Sequence, residues 1–216
     1  GYTDLATRNV PFELVAICDI DKTQFEKQIT INTSAEPVKI ADSIHTYTDL
    51  DEMIAKEEFD MADICLPTYL HCEYTKTMLR AGKHVLCEKP MCINTKEAVE
   101  MFNCAKENDV LLMEAMWARL VPGTLKMLEI IASGKLGDIL GVEGKFCYAF
   151  DEDELDHHAL KNTNGGGSLL DVGVYGLNFA SWYLGKDVEK IDAQAEVWNG
   201  VDTHTCALLK YKNGAV

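Results

Sequence analysis

Residues 61–91 read MADICLPTYLHCEYTKTMLRAGKHVLCEKPM, and this stretch decides the fold. Met61–Leu66 is a short apolar run that suits a buried strand. Leu70–Ala81 has helical spacing, with Tyr74, Met78 and Ala81 predicted on one face and Gly82 ending the helix. His84–Cys87 reads as a second strand. A strand, a helix and a strand in this order make a parallel βαβ unit.

The pattern extends in both directions. Upstream, Glu13–Asp19 is rich in strand formers. Asp21-Lys-Thr-Gln24 and Thr48-Asp-Leu-Asp51 both have the spacing of a helix-capping box, and Leu50, Met53 and Ile54 give the second helix an apolar stripe. Downstream, Asn94-Thr-Lys-Glu97 caps a helix predicted to face Ala98, Met101, Phe102 and Ala105 inward, and Val110–Met113 is a further strand. Alternation at this pace predicts a doubly wound parallel sheet, which binds ligands at the carboxyl ends of its strands. The informative residues are therefore Asp19, Leu66-Pro67-Thr68, Glu88-Lys89-Pro90 and Glu114 to Arg119.

After residue 116 the character changes. A helix is expected over 123–133, with Leu125, Leu128 and Ala132 in register. A long strand is expected over Asp138–Phe150, where Val142, Gly144, Phe146, Tyr148 and Phe150 alternate. An acidic loop with His157 and His158 follows, then Gly165-Gly-Gly-Ser-Leu-Leu-Asp171-Val-Gly-Val-Tyr175 leading into a helix that Gly185 ends. Ile191–Trp198 and Thr203–Tyr211 are strands with no helix between them, so the second half predicts a mostly antiparallel α+β domain. The domains are placed at 1–116 and 117–216.

Composition excludes several classes. The 216 residues include 35 Asp+Glu against 20 Lys+Arg, a formal net charge of −15, with 47% hydrophobic residues. This is globular material. No apolar run approaches the ~20 residues of a membrane helix, and no run of basic residues is present to neutralise phosphates, so neither membrane nor nucleic acid is an expected partner. The 8 cysteines lack both a Cys-x-x-Cys pair and zinc-site spacing, which predicts reduced thiols, a cytoplasmic location and no metal site.

Three positions carry candidate chemistry. Asp19 ends a strand, where a carboxylate can accept hydrogen bonds from both ribose hydroxyls of an adenosine; it could equally begin the following turn. Lys89, after a strand and beside Glu88, can present a cation to a carbonyl oxygen or be one half of a surface pair. Asp171 and Tyr175 stand four apart, so a helix begun at Asp171 puts carboxylate and phenol on one face, with the preceding glycines allowing close approach to a ligand. The plain alternative is Asp171 as an N-cap and Tyr175 as a core residue. With Lys89 added, the three are the parts of a proton-transfer site, since a nearby ammonium lowers a phenol pKa. His157 and His158 fit a solvated loop at the cleft mouth.

Ala81-Gly-Lys-His-Val-Leu-Cys-Glu-Lys-Pro90 resembles the AGKHVLCEKP segment of the glucose–fructose oxidoreductase / inositol dehydrogenase (Gfo/Idh/MocA) family, and Gly165–Tyr175 resembles its GGGxLxDxGxH/Y segment. Leu66-Pro67-Thr68 with His71 resembles the family's strand-four loop. Met113–Arg119 with Pro122 is most similar to the branch containing dimeric dihydrodiol dehydrogenase and NADP-dependent xylose dehydrogenase.

The resemblance implies a Rossmann-type domain whose first strand is missing here, then an incomplete α+β domain with an open sheet that serves as a homodimer or higher homo-oligomer interface. It implies hydride transfer between a nicotinamide and a hydroxyl of a sugar, polyol or trans-diol. On that basis Lys89 and Tyr175 are catalytic and Asp171 binds substrate hydroxyls. The implied cofactor contacts are Asp19, Leu66, Pro67, Thr68, His71, Glu88, Lys89, Trp117 and Arg119. Cys18-Asp19-Ile20-Asp21 has no arginine nearby other than Arg8, which favours NAD, with NADP open. Non-catalytic cofactor or sugar binding and NAD-dependent glycoside cleavage are the alternatives. The glycine-rich first βα turn of the family is not in the sequence; Gly1–Leu5 would fall late in the first helix. These residues alone are therefore expected to be unstable and to hold NAD weakly.

Overall fold

A computed structural model describes residues 12–26, 40–151 and 154–216. Arg8, the opening Gly1–Leu5 and the acidic pair Glu152–Asp153 lie outside the described residues. The chain forms two compact units, Gly1–Asp60 and Met61–Val216.

In the first unit, β1 (Ala16–Cys18) pairs in parallel with β2 (His45–Tyr47). β2 has no sequence signature because His45-Thr46-Tyr47 contains no apolar run. Its side chains are instead fixed by one carboxylate: Glu57 accepts from the Tyr47 hydroxyl and lies 2.7 Å from His45 Nδ1. Asp21 accepts from the Thr23 N–H at 3.0 Å and from the Gln24 amide at 2.8 Å, but the turn it starts, Lys22–Glu26, is 3₁₀ rather than α. α1 (Leu50–Lys56) begins one residue later than the Thr48 box predicts. Asp49, in extended backbone, accepts from the Glu52 N–H at 2.8 Å and is the true cap.

The second unit opens with β3 (Met61–Ile64), α2 (Thr68–Arg80), β4 (His84–Cys87), α3 (Thr95–Glu107) and β5 (Leu112–Glu114). The strands lie in the order β3-β4-β5, all parallel, as the alternation predicts. Asn94 caps α3 by accepting from the Glu97 N–H at 2.9 Å, and Glu97 reaches back to the Ile93 N–H. The buried faces differ from the simple stripes. α2 buries His71, Cys72, Thr75, Met78 and Leu79, while Ala81 is exposed. α3 buries Met101, Cys104 and Ala105, while Phe102 is exposed.

α4 (Pro122–Ala132) starts with proline in its first turn, as its missing N–H permits, and buries none of its side chains. The strand expected over Asp138–Phe150 is not formed. The segment has no ladder; Val142 N–H donates to Val216 O at 3.0 Å and Val216 N–H to Leu140 O at 3.1 Å. Alternation selects which residues share a face, but a strand also needs a partner along its length. A π-helical turn (Leu169–Gly173) runs into α5 (Val174–Leu184), and β6 (Val188–Trp198) and β7 (Val201–Tyr211) form an antiparallel hairpin. Its turn is Asn199-Gly200, both at positive φ, 50° and 80°, which matches the right-handed twist of the flanking strands. Leu184, Tyr211 and Ala215 pack with Ile139, Val142, Val188 and Leu209 into a small core under this hairpin.

Candidate active site

The carboxyl end of β4 sets Lys89. Glu88 N–H bonds Ile64 O on one side of the strand, and Cys87 O accepts from Ala115 N–H on the other. The strand is thus held between its neighbours up to its last residue. The Lys89–Pro90 peptide is cis, and Met91 N–H donates to Glu114 Oε1 at 3.1 Å. Beneath this turn Cys87 is fully buried, and burial pushes its thiol up to about 12. Lys89 Nζ then donates to the Asp171 carbonyl at 2.7 Å and to Asp171 Oδ1 at 3.2 Å.

Asp171 lies inside the π-turn, so the plain N-cap alternative does not hold. Such turns interrupt the regular ladder and recur at functional sites. Its carboxylate also accepts from the Tyr148 hydroxyl. Burial pushes the Asp171 carboxyl up, but the Tyr148 hydrogen bond and the Lys89 ammonium outweigh it and hold the group below its usual range. Burial and the same hydrogen bond to a carboxylate push the Tyr148 phenol up.

Tyr175 follows in the first turn of α5. Its hydroxyl accepts from Trp117 Nε1 at 2.9 Å, its ring stacks on Phe146 at 5.3 Å, and Lys89 Nζ stands 5.2 Å from its ring centroid. Trp117 meets the ring edge-on and is 61% exposed, so the phenol sits in an aromatic corner that is open on one side. One cation therefore bridges the carboxylate and the phenol, as the residue types suggest, but it touches the phenol through the ring face rather than the oxygen.

The remaining predicted residues fall into distinct settings. His71 is 1% exposed, with Nε2 2.7 Å from Leu66 O and Nδ1 3.0 Å from Pro90 O. It clamps the loop after β3 to the turn carrying Lys89. Pro67 precedes α2 without a side-chain cap, and Thr68 opens that helix. Glu88 Oε2 accepts from the Lys89 N–H at 3.1 Å. Arg119 lies 5.5 Å over the Trp182 ring. In the other unit, Asp19 accepts from the Asp21 N–H at 2.8 Å, so it does shape its own turn.

The glycines before Asp171 approach protein rather than leaving room for a ligand. A Cβ at Gly166 would meet Ala159 O at 2.6 Å, and one at Gly167, whose φ is +117°, would run into Asp202 Oδ1. The histidine loop is not simply solvated either. Ala159 and Leu160 are buried, and burial, the neighbouring His157 and the Lys89 charge lower the His158 pKa against the pull of Asp171. Among the described residues no group of three His, Cys, Asp or Glu side chains could hold a metal ion. Nor is any helix there long and apolar enough to cross a membrane. Sequence reasoning missed Tyr148 and Asp202 as site residues. The alternation of Phe146 and Tyr148 was the available signal for the first; nothing local signals the second.

Comparison with known proteins gives the family. The Gfo/Idh/MocA family model described as "Oxidoreductase family, NAD-binding Rossmann fold" matches residues 3–116, and the Gfo/Idh/MocA C-terminal domain model matches residues 124–216. The scyllo-inositol 2-dehydrogenase (NADP(+)) of Bacillus subtilis is 36% identical over 174 residues, 77% of this chain and 52% of its own length. The trans-1,2-dihydrobenzene-1,2-diol dehydrogenase of Mus musculus is 35% identical over 170 residues, 78% of this chain and 50% of its own. The chain thus spans about half the length of the curated relatives it matches. Among solved structures, the WlbA dehydrogenase of Bordetella pertussis with NADH and UDP-GlcNAcA superposes with a TM-score of 0.82 at 20% identity, covering 99% of this chain and 64% of that one. A 3-ketoreductase of Actinomadura kijaniata with NADP gives 0.78 at 26% identity, covering 94% and 59%. The parallel βαβ half, the antiparallel hairpin and both matched models agree: the chain belongs to the Gfo/Idh/MocA oxidoreductase family.

Proposed function

We propose that the protein is an NAD(P)-dependent dehydrogenase acting on a hydroxyl of a sugar, polyol or diol. The observation that carries this is the position of Lys89 Nζ, bonded to Asp171 and set against the Tyr175 ring at the carboxyl end of a parallel strand. A nicotinamide dinucleotide, through its phosphates, fits the donors at hand. α2 begins without a side-chain cap, which leaves backbone N–H groups for an anion, and Glu88 and Trp117 flank the Lys89 turn in sequence and sheet order. When bound, the nicotinamide supplies the acceptor or donor of the hydride. The division at 116/117 is supported by the two family models, which end and begin on either side of it.

In the oxidative direction Tyr175 removes the hydroxyl proton. Lys89, beneath the ring, stabilises Tyr175 as the phenolate that accepts this proton, and the alkoxide charge that develops on the substrate oxygen as the proton leaves. Asp171 keeps Lys89 in place and offers its carboxylate edge to a substrate hydroxyl. Trp117 donates to the Tyr175 oxygen and orients it. A reducing compartment such as the cytoplasm fits the unpaired state of all the cysteines.

Asp19 and Asp21 stand together after β1, and two like charges 4 Å apart repel by about 4 kcal/mol at an effective dielectric of ~20. A 2′-phosphate beside Asp19 is therefore disfavoured, and we expect kcat/KM for NAD to exceed that for NADP by about tenfold or more. Asp19→Ser should narrow that ratio. Steady-state kinetics with both cofactors decides it; a strong NADP preference in the unaltered protein would show that Asp19 is turned away.

The C-terminal hairpin is the proposed self-association surface. Ile191, Ala193 and Ala195 alternate onto one face of β6 and are all exposed. Light scattering on the full-length protein should give a dimer or larger assembly, and Ala193→Glu should dissociate it. A monomer in the unaltered protein removes the proposal.

A further inference from the structure

Asp202 belongs to β7, yet its carboxylate serves the segment that carries Asp171. Its Oδ2 accepts from the Ser168 hydroxyl at 2.7 Å, from the Leu169 N–H at 2.8 Å and from the Thr205 hydroxyl at 2.5 Å. Its Oδ1 occupies the space over Gly167 that any Cβ there would fill. Ser168 provides no cap of its own, so the N–H at the head of the π-turn is satisfied from another strand. An anion at that end is also favoured by the helix dipole. Asp171 N–H bonds Gly167 O at 3.0 Å, which ties Asp171 to the residue Asp202 covers.

We propose that Asp202 is a positioning residue: by pinning Gly167, Ser168 and Leu169 to β7 it fixes Asp171, and through Asp171 the Lys89 ammonium. This rests on the dehydrogenase reading for its kinetic consequence, though not for its geometric one. Asp171 holds Lys89 through two atoms of one residue, so rotation of the π-turn loosens both bonds at once. Misplacement of about 1 Å in a catalytic group costs on the order of a hundredfold in rate.

The test uses the full-length protein with Asp202→Ala, Asp202→Asn and Gly167→Ala. Two readouts are taken: steady-state kinetics, and the rate at which trinitrobenzenesulfonate labels Lys89, followed by peptide mass spectrometry. Lys76, paired with Glu100 at 2.7 Å on the neighbouring helices, is the internal reference. Asp202→Ala should lower kcat by about a hundredfold with cofactor affinity unchanged, and raise Lys89 labelling severalfold with Lys76 labelling unchanged. Asp202→Asn, whose amide oxygen can still accept from Leu169, should recover much of both. Gly167→Ala, which displaces the carboxylate without removing it, should act like Asp202→Ala and serves if that variant does not fold. Lys89 labelling and kcat at the unaltered level in all soluble variants would overturn the proposal. So would a parallel rise in Lys76 labelling, which marks general loosening. If labelling rises as expected in a protein that oxidises no alcohol with either cofactor, the positioning role stands and the dehydrogenase reading falls.

Discussion

Lys89→Ala is expected to lower kcat by a hundred- to a thousandfold, the usual cost of deleting a group that stabilises charge developing in the transition state. The substitution removes a side chain that this structure places between Asp171 and the Tyr175 ring, at 2.7 and 3.2 Å from the first and 5.2 Å from the second. It leaves the backbone of the turn intact, because His71, Ile64 and Glu114 hold that turn through main-chain atoms. Cofactor affinity, read by quenching of intrinsic tryptophan fluorescence, should therefore change by less than about threefold, a difference of under ~0.7 kcal/mol. Turnover is read from the absorbance of the reduced nicotinamide with a panel of sugars, polyols and diols. Turnover near the unaltered level with the best substrate would sink the assignment.

Tyr175→Phe should be comparably severe, about a hundred- to ten-thousandfold in kcat, since it deletes the group that exchanges the proton. The ring stack on Phe146 survives in the variant, and the Trp117 N–H can turn to water because that side chain is exposed. A loss of fold is thus not the expected cause of any loss of rate. The pH profile adds a second check. The Asp171 carboxyl is held below its usual range, so the Asp171–Lys89 bond persists through the ordinary carboxylate range and breaks only as pH falls through the depressed value. Its contribution to stability follows the same sign: complete above the unfolded carboxylate pKa, and lost on acidification through the folded one. Any acid limb of kcat that Asp171 sets should accordingly lie below the ordinary carboxylate range in the unaltered protein. Tyr148→Phe, which removes one of the stabilising hydrogen bonds, should move that limb upward. An acid limb that does not respond to Tyr148→Phe would detach Asp171 from the rate.

Much of the parallel half was legible because its signals are local. Asn94 and Glu97 lie within one turn of the helix they cap, and His84–Cys87 is bracketed by Gly82 and Pro90; both elements appear where the sequence places them. Local signals mislead where a side chain is satisfied at a distance. His71 lies on the buried face of α2 only because carbonyls at Leu66 and Pro90 meet its two nitrogens, and no helical stripe of apolar residues announces a buried imidazole. Asp138–Phe150 shows the converse. Its alternation is real and puts Phe146 and Tyr148 beside the site, yet the segment is not a strand because its backbone finds Val216 near one end and no ladder along its length.

By itself, then, the sequence determined the parallel βαβ order, the place of Lys89 after a strand and the four-residue spacing of Asp171 and Tyr175, since all three follow from spacing, capping and hydrophobic period within a few turns of chain. Tertiary structure alone decided what those residues do to one another. It brought Lys89 onto Asp171, 82 positions away in sequence, set Trp117 on the Tyr175 hydroxyl, and placed Asp202 over Gly167. The reason is physical: a hydrogen bond between buried polar groups is specified by the geometry of both partners, and a one-dimensional pattern records only one of them.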